Sequence, residues 1–212
     1  PINWVGDNTT TYTLANCSFS IPATYYVNAT TGNDGNDGSQ DSPWATLTYA
    51  ISQVSSLVTD QINVAAGTYT EDNITCSKSV TIVGAGPAAT IFDGDGTNRF
   101  MNISANDVVI KNCIIKEYQN VSNGGGAIRV TGAYTGIEIE NVEFANNICP
   151  TLSSGGGAID LATSSTTTIK RCKFYGNKAV YNNARGSGTR GGGHHRDPRF
   201  APEQVRGVLH RR

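Results

Sequence analysis

The side chains in this 212-residue chain that could do chemistry are few and scattered. Asp93 and Asp95 lie in Phe92-Asp-Gly-Asp-Gly96, Lys111 follows Ile110, Arg129 lies in Ala127-Ile-Arg-Val130, and Asp160 lies in Ala158-Ile-Asp-Leu161. Carboxylates and cations of this kind do general acid–base work when they converge. Each also has a plainer reading. Asp93 and Asp95 flank glycines, as turn residues do. Asp160 occupies the slot that Arg129 holds in the earlier segment, so the two read as an ion pair between neighbouring units. Asp34, Asn36, Asp37 and Asp41 fall within eight residues, a spacing reminiscent of an oxygen-ligand loop for Ca²⁺, with a solvated loop of Asx turns as the alternative. The histidines are His194, His195 and His210, so none lies in the body of the chain for proton transfer. Trp44, Tyr118, Tyr134 and Tyr175 are expected to be exposed and able to stack on sugars, with Tyr118, at the Asn147/Asn177 position of the repeat, alternatively a variant turn residue. The glycine runs at 124–126 and 155–157 precede strands and no Lys follows them, unlike a phosphate loop.

The elements that must position these residues follow from a repeat. Ile110-Lys-Asn-Cys-Ile-Ile115, Ile139-Glu-Asn-Val-Glu-Phe144 and Ile169-Lys-Arg-Cys-Lys-Phe174 align without gaps. Gly124-Gly-Gly-Ala-Ile128 returns as Gly155-Gly-Gly-Ala-Ile159, and Phe144-Ala-Asn-Asn147 returns as Phe174-Tyr-Gly-Asn177. A period near 30 with two or three short strands per period fits one coil of a parallel β-helix. Ile110, Ile139 and Ile169 then stack inward, while Lys111, Glu140 and Lys170 alternate in sign outside. Asn112 and Asn141 form a turn ladder that Arg171 interrupts. Cys113 and Cys172 sit two coils apart, beyond disulfide reach. One helix is predicted from Leu47, Ala50, Ile51, Val54 and Leu57, with Ser42 as N-cap and Pro43 at its first position.

Composition sets the class. Gly, Thr and Asn number 24, 24 and 20, types that favour turns and strands over helix interiors. No apolar run approaches the ~18 residues of a membrane helix, so no transmembrane segment is expected. Residues 1–184 are acidic, with nine Lys+Arg against fifteen Asp+Glu, which argues against a nucleic-acid partner. Residues 185–212 invert this, with seven Arg against one Asp and one Glu, and carry no strand pattern. They are expected to be out-of-frame or otherwise foreign to the fold, with a genuine basic tail, or a C-terminal cap helix from Glu203 to Leu209, as alternatives. The sequence starts at Pro1 with no signal peptide, so it reads as a mature form or a fragment. Six N-x-S/T sequons, at Asn8, Asn16, Asn28, Asn73, Asn102 and Asn120, do not rise clearly above chance.

Two family resemblances rest on these residues. Tyr25 through Asn36-Asp-Gly-Ser39, Ser42-Pro-Trp-Ala-Thr-Leu47 and Val64-Ala-Ala-Gly-Thr-Tyr69 resemble the entry region of pectin-lyase-like right-handed parallel β-helix proteins. The Gly-Gly-Ala-Ile and Phe-x-x-Asn pairs resemble the repeats of polymorphic outer-membrane proteins and adhesin-like surface proteins. The first resemblance implies an all-β, right-handed parallel β-helix with an N-terminal capping helix. On that plan residues 25–61 are the entry strand, loop and capping helix and 62–184 the coils; by their own pattern residues 1–24 are a polar, strand-poor lead-in or the end of a preceding unit, and 185–212 a tail outside the fold. The second implies a non-enzymatic, extracellular or cell-surface module, a fragment of a longer surface protein, that binds a polysaccharide or cell-surface glycan. The alternative implied by the first is a polysaccharide lyase or glycoside hydrolase acting on acidic polysaccharide. Asp93, Asp95, Lys111, Arg129 and Asp160 would then be the catalytic candidates, with Ca²⁺ as the possible cofactor.

Overall fold

The computed structural model describes residues 21–120, 124–150, 156–161 and 165–179, with the backbone of Asn3–Gly6, Thr10–Thr13 and His210–Arg211. Its strands form three parallel stacks. The first holds Thr24–Val27, Asp60–Val64, Val80–Gly84, the first halves of Val108–Lys116 and Ile137–Ala145, and Thr167–Lys170. The second holds Gly67–Tyr69, Thr90–Asp93, the second halves of the two long strands, and Lys173–Tyr175. The third holds Ile74–Cys76, Met101–Ile103, Ile128–Val130 and Ile159–Leu161. This is the arrangement of a parallel β-helix.

The register predicted for Ile110, Ile139 and Ile169 is the observed one, and it extends to earlier strands. Tyr25, Ile62, Ile82, Ile110, Ile139 and Ile169 are successive partners on the first stack. On the second, Tyr69, Phe92, Ile115, Phe144 and Phe174 line up in the same way. Alternate residues point inward, and the buried set forms one continuous core. The long strands bend where Asn112 and Asn141 take left-handed φ of 57° and 52°, and Asn141 Nδ2 donates to Asn112 Oδ1 at 2.8 Å. Asparagine tolerates that conformation better than most residues. Arg171 adopts it too (φ 52°), but its guanidinium pairs with Glu140 and the amide ladder stops there.

A second ladder follows the second stack. Asn147 and Asn177 are buried, and Asn147 N donates to Asn177 Oδ1 at 2.9 Å. Asn177 Nδ2 reaches back to the Phe144 carbonyl at 2.9 Å. The glycine runs also stack, with Gly126 N on Gly157 O and Ala127 N on Ala158 O, both at 2.9 Å. A β-carbon on Gly126 would lie 2.2 Å from the Gly157 carbonyl oxygen, so neighbouring backbones exclude a side chain there. The Cys76, Cys113 and Cys149 side chains are buried.

Four expectations need correction. The helix spans Leu47–Gln53, and its N-cap is Thr46, whose hydroxyl accepts from Tyr49 N at 3.1 Å. Ser42 and Pro43 are not its start, because the adjoining chain runs along strand Thr24–Val27: Trp44 N donates to Tyr26 O and Asn28 N to Trp44 O. Trp44 is buried, with its ring stacked on Tyr25 at 4.9 Å and its indole N–H on Asn36 O. Tyr118 is buried as well, because its turn position points inward, as do those of Asn147 and Asn177. Gly94 leaves it room: a β-carbon there would lie 2.4 Å from the Tyr118 ring. Fourth, residues Asn3–Gly6 and Thr10–Thr13 pair antiparallel, in a segment expected to be poor in strands. Thr10-Thr-Tyr-Thr13 consists of residue types that favour extended backbone.

Residues 180–209 lie outside the described residues, as do Gly155, Cys17, Asn8 and Asn16. The backbone of His210–Arg211 runs parallel beside Asp160–Leu161.

Candidate functional site

The five acid–base candidates fall on all three stacks. Lys111 projects from the first, between Glu140 at 3.0 Å and Glu138 at 3.1 Å. Both carboxylates, Glu140 foremost, raise its pKa and hold it protonated. Asp93 and Lys116 are register partners on the second stack, joined at 2.5 Å. The Asp93 hydrogen bond is the main cause of a raised Lys116 pKa. Asp95 lies one turn further, exposed at φ 48°, its N–H directed at Asp93 Oδ1. Arg129 and Asp160 are register partners on the third stack, and the expected pair is present, Nε to Oδ2 at 3.5 Å.

Two clusters form around these residues. The first lies on the outer face of the third stack, in the row Thr75–Asn102–Arg129–Asp160. Beside it Arg99 is almost fully buried and donates to Asn102 Oδ1 and to the Gly124 and Gly125 carbonyls at 2.6–2.8 Å. Burial, then Arg129, lowers its pKa to about 10. Sequence reasoning missed Arg99. A usable signal was its position, one residue before the apolar Phe100-Met101 pair, in a body otherwise short of arginine. Asp160 is also buried, and its Oδ1 has no hydrogen-bond partner among the described residues.

The second cluster lies at the end of the second stack. There Asp93, Lys116, Ala145 and Tyr175 make one outward row. Tyr175 is about half exposed and its hydroxyl bonds to Glu143. Ala145, the smallest side chain in the row, is buried between Lys116 and Tyr175. An adjoining cleft of about 350 Å³ is lined by Asp95, Glu117, Gln119 and Asn146. Of the four aromatics expected on the surface, Tyr175 is exposed, Tyr134 half-buried, and the other two internal.

The 34–41 loop uses its oxygens locally. Asp34 Oδ1 accepts from Ala45 N and Thr46 N at 2.9 and 3.0 Å, and Oδ2 from the Thr46 hydroxyl at 2.8 Å. Asp37 accepts from Ser39 N, which lowers its pKa, and Asn36 Nδ2 donates to Pro43 O. Asp41 is exposed. For Ca²⁺, which takes six to eight oxygens, Asp34 would have to give up the helix entry it holds. Among the described residues no three His, Cys, Asp or Glu side chains form a metal-holding group.

The family model described as "Protein of unknown function (DUF1565)" matches residues 30–183. No curated protein matches. Among solved structures, a rhamnogalacturonan lyase is similar at 17% identity, TM-score 0.48, over 73% of this chain and 52% of its own. The GH136 lacto-N-biosidase from Eubacterium ramulus is similar at 11% identity, TM-score 0.44, over 72% of this chain and 33% of its own. The chain thus spans between a third and about half the length of these structures.

Proposed function

The chain belongs to the family described as protein of unknown function (DUF1565), and on that premise we propose that it is a right-handed β-helical solenoid that works by binding. The function is that of a non-enzymatic, adhesin-like part of a secreted or cell-surface protein whose ligands are glycans. One observation carries this reading. The candidate acids and bases are divided among three faces, and Lys111, Asp93–Lys116 and Arg129–Asp160 are each neutralised by neighbours. A lysine that abstracts a proton must first lose its own, and the carboxylates beside Lys111 and Lys116 oppose that loss.

The binding face is the row ending in Tyr175. Its ring is a stacking platform, and Lys116, Asp93 and Glu143 offer donors and acceptors to sugar hydroxyls and carboxylates. The test is calorimetric titration with polygalacturonate and hyaluronan oligomers, alongside assays for unsaturated uronate and new reducing ends. Binding without turnover is expected, with roughly a tenfold loss, about 1.4 kcal/mol, in Tyr175→Ala. Turnover of either polymer overturns the reading. The alternative, a polysaccharide lyase or hydrolase, is favoured by the buried Asp160, whose Oδ1 has no partner among the described residues, beside Arg129. Turnover abolished by Asp160→Asn would establish it.

A further inference from the structure

A groove of about 360 Å³ runs along the outer face of the first stack at its helix end. Val83 and Gly84 are among its lining residues, and its polar side chains are Tyr26, Asn28, Gln40 and Asn63. The volume lies within the ~300–1,000 Å³ of ordinary ligand clefts. None of the described residues lining it is charged, in contrast to the rest of this face, where Lys111, Glu138, Glu140 and Lys170 interlock.

The wall is built before any ligand arrives. The loop that carries Gln40 is fixed to strand Thr24–Val27 by Tyr26 N on Gly38 O at 2.9 Å and by the Trp44 bonds described above. Gly38 packs against the indole so closely that a β-carbon would lie 2.5 Å from it. The amides are oriented too. Asn28 Oδ1 accepts from Thr30 N and Thr31 N, and Asn63 Oδ1 accepts from Gln61 Nε2, which leaves both amide NH₂ groups as donors. The Tyr26 hydroxyl and the Gln40 amide have no partner among the described residues.

We propose that this groove binds an uncharged saccharide segment: the Tyr26 ring packs on a sugar face while the Asn28, Asn63 and Gln40 amides bond its hydroxyls. An anionic sugar would find no cation here, and a cationic one no carboxylate. The choice of saccharide rests on the reading of the protein as a glycan-binding module. The site itself lies on a different stack from the Tyr175 row.

The test is a titration of the ¹⁵N-labelled chain with maltopentaose, cellopentaose and mannopentaose, at low and high salt. At least one should move the Asn28 and Asn63 side-chain amides saturably, with a Kd unaffected by salt. Tyr26→Ala, Gln40→Ala and Asn63→Ala should each weaken that binding roughly fivefold to tenfold, while Tyr175→Ala leaves it unchanged. Gln40 is exposed, so its variant keeps the test open if Tyr26→Ala does not fold. No shift of groove amides with any of the three, binding that survives all three groove variants, or binding lost in Tyr175→Ala overturns the proposal. If the groove fails while the Tyr175 row still binds acidic glycan, the groove alone is refuted.

Discussion

Replacing Asn147 with alanine tests whether the buried amide ladder holds the coils together. Its Oδ1 accepts from Tyr118 N at 3.1 Å, and its Nδ2 donates to Ile115 O at 3.0 Å and to Asn177 Oδ1 at 2.9 Å. The substitution deletes all three bonds, at about 1 kcal/mol each, and leaves the buried Tyr118 N–H unpaired for about another 1 kcal/mol. The sum is about 4 kcal/mol. For a chain of this size that lowers Tm by roughly 8–16 °C. The assay is urea unfolding followed by circular dichroism, reading the midpoint at unchanged m-value. The control is the neighbouring Asn146→Gly. Asn146 is exposed at φ 54°, where glycine is at ease, and a change within about 0.5 kcal/mol is expected. If Asn147→Ala costs less than about 1 kcal/mol, or no more than the control, the ladder does not carry the stack.

Further outcomes follow from other contacts. Asp34→Ala should cost about 2 kcal/mol, because three groups at the helix entry lose their acceptor. Millimolar Ca²⁺ or chelator should leave Tm of the unaltered chain within about 1 °C, and a larger shift would make the loop a cation site. Gly94→Ala drives a methyl into Tyr118, as close as 2.8 Å to its Cα, and should cost about 1–3 kcal/mol in the same urea assay. Burial raises the Cys76 pKa to about 12, so the folded chain keeps this proton after the unfolded chain has lost it. The resulting stability is complete below the ordinary thiol value and is lost as pH rises from there to about 12, by at most about 1.4 kcal/mol per pH unit. Cys76→Ala should flatten that alkaline slope, and an unchanged slope would assign it to other groups. Among the described thiols, iodoacetamide should label Cys172 first, since Cys76, Cys113 and Cys149 are buried, and mass spectrometry of the adducts checks the order.

The gapless recurrence of Ile-x-Asn/Arg-x-x-Ile/Phe made the register legible, because in a parallel stack every coil repeats the same in–out choice. The Arg129–Asp160 pair was legible for the same reason. The burial of Trp44 depends on how the loop carrying Asn36 and Gly38 folds over it, and that of Tyr118 on partners far along the chain. Gly38 and Gly94 open the space, and the Tyr118 hydroxyl ends on the Glu71 carbonyl, 47 residues away. Arg99 was hidden because the carbonyls that satisfy it, Gly124 and Gly125, carry no side-chain signal. The helix start was displaced for a related reason. Ser42-Pro43 has the right local chemistry, but the backbone there is already committed to Tyr26 and Asn28.

The seven-residue helix is clamped from several coils at once. Asp34 holds its entry, Glu71 accepts from Leu47 N and Thr48 N at 2.7 and 2.8 Å, and Lys78 donates to Ser52 O and Val54 O beyond its last turn. A stack of coils melts as a one-dimensional chain of neighbours, and it opens most easily where a rung can detach alone. At this end no rung can. Opening the helix means opening residues 34 to 78 as one block. Among the described coils, that of residues 165–179 is the other extreme, with Ile169, Cys172 and Phe174 only partly covered. Amide exchange should therefore form a staircase, fast at 165–179, slower with each coil toward Asp60–Val64. Under tension the molecule would unspool in single-coil steps and then give way once, abruptly, at the clamp.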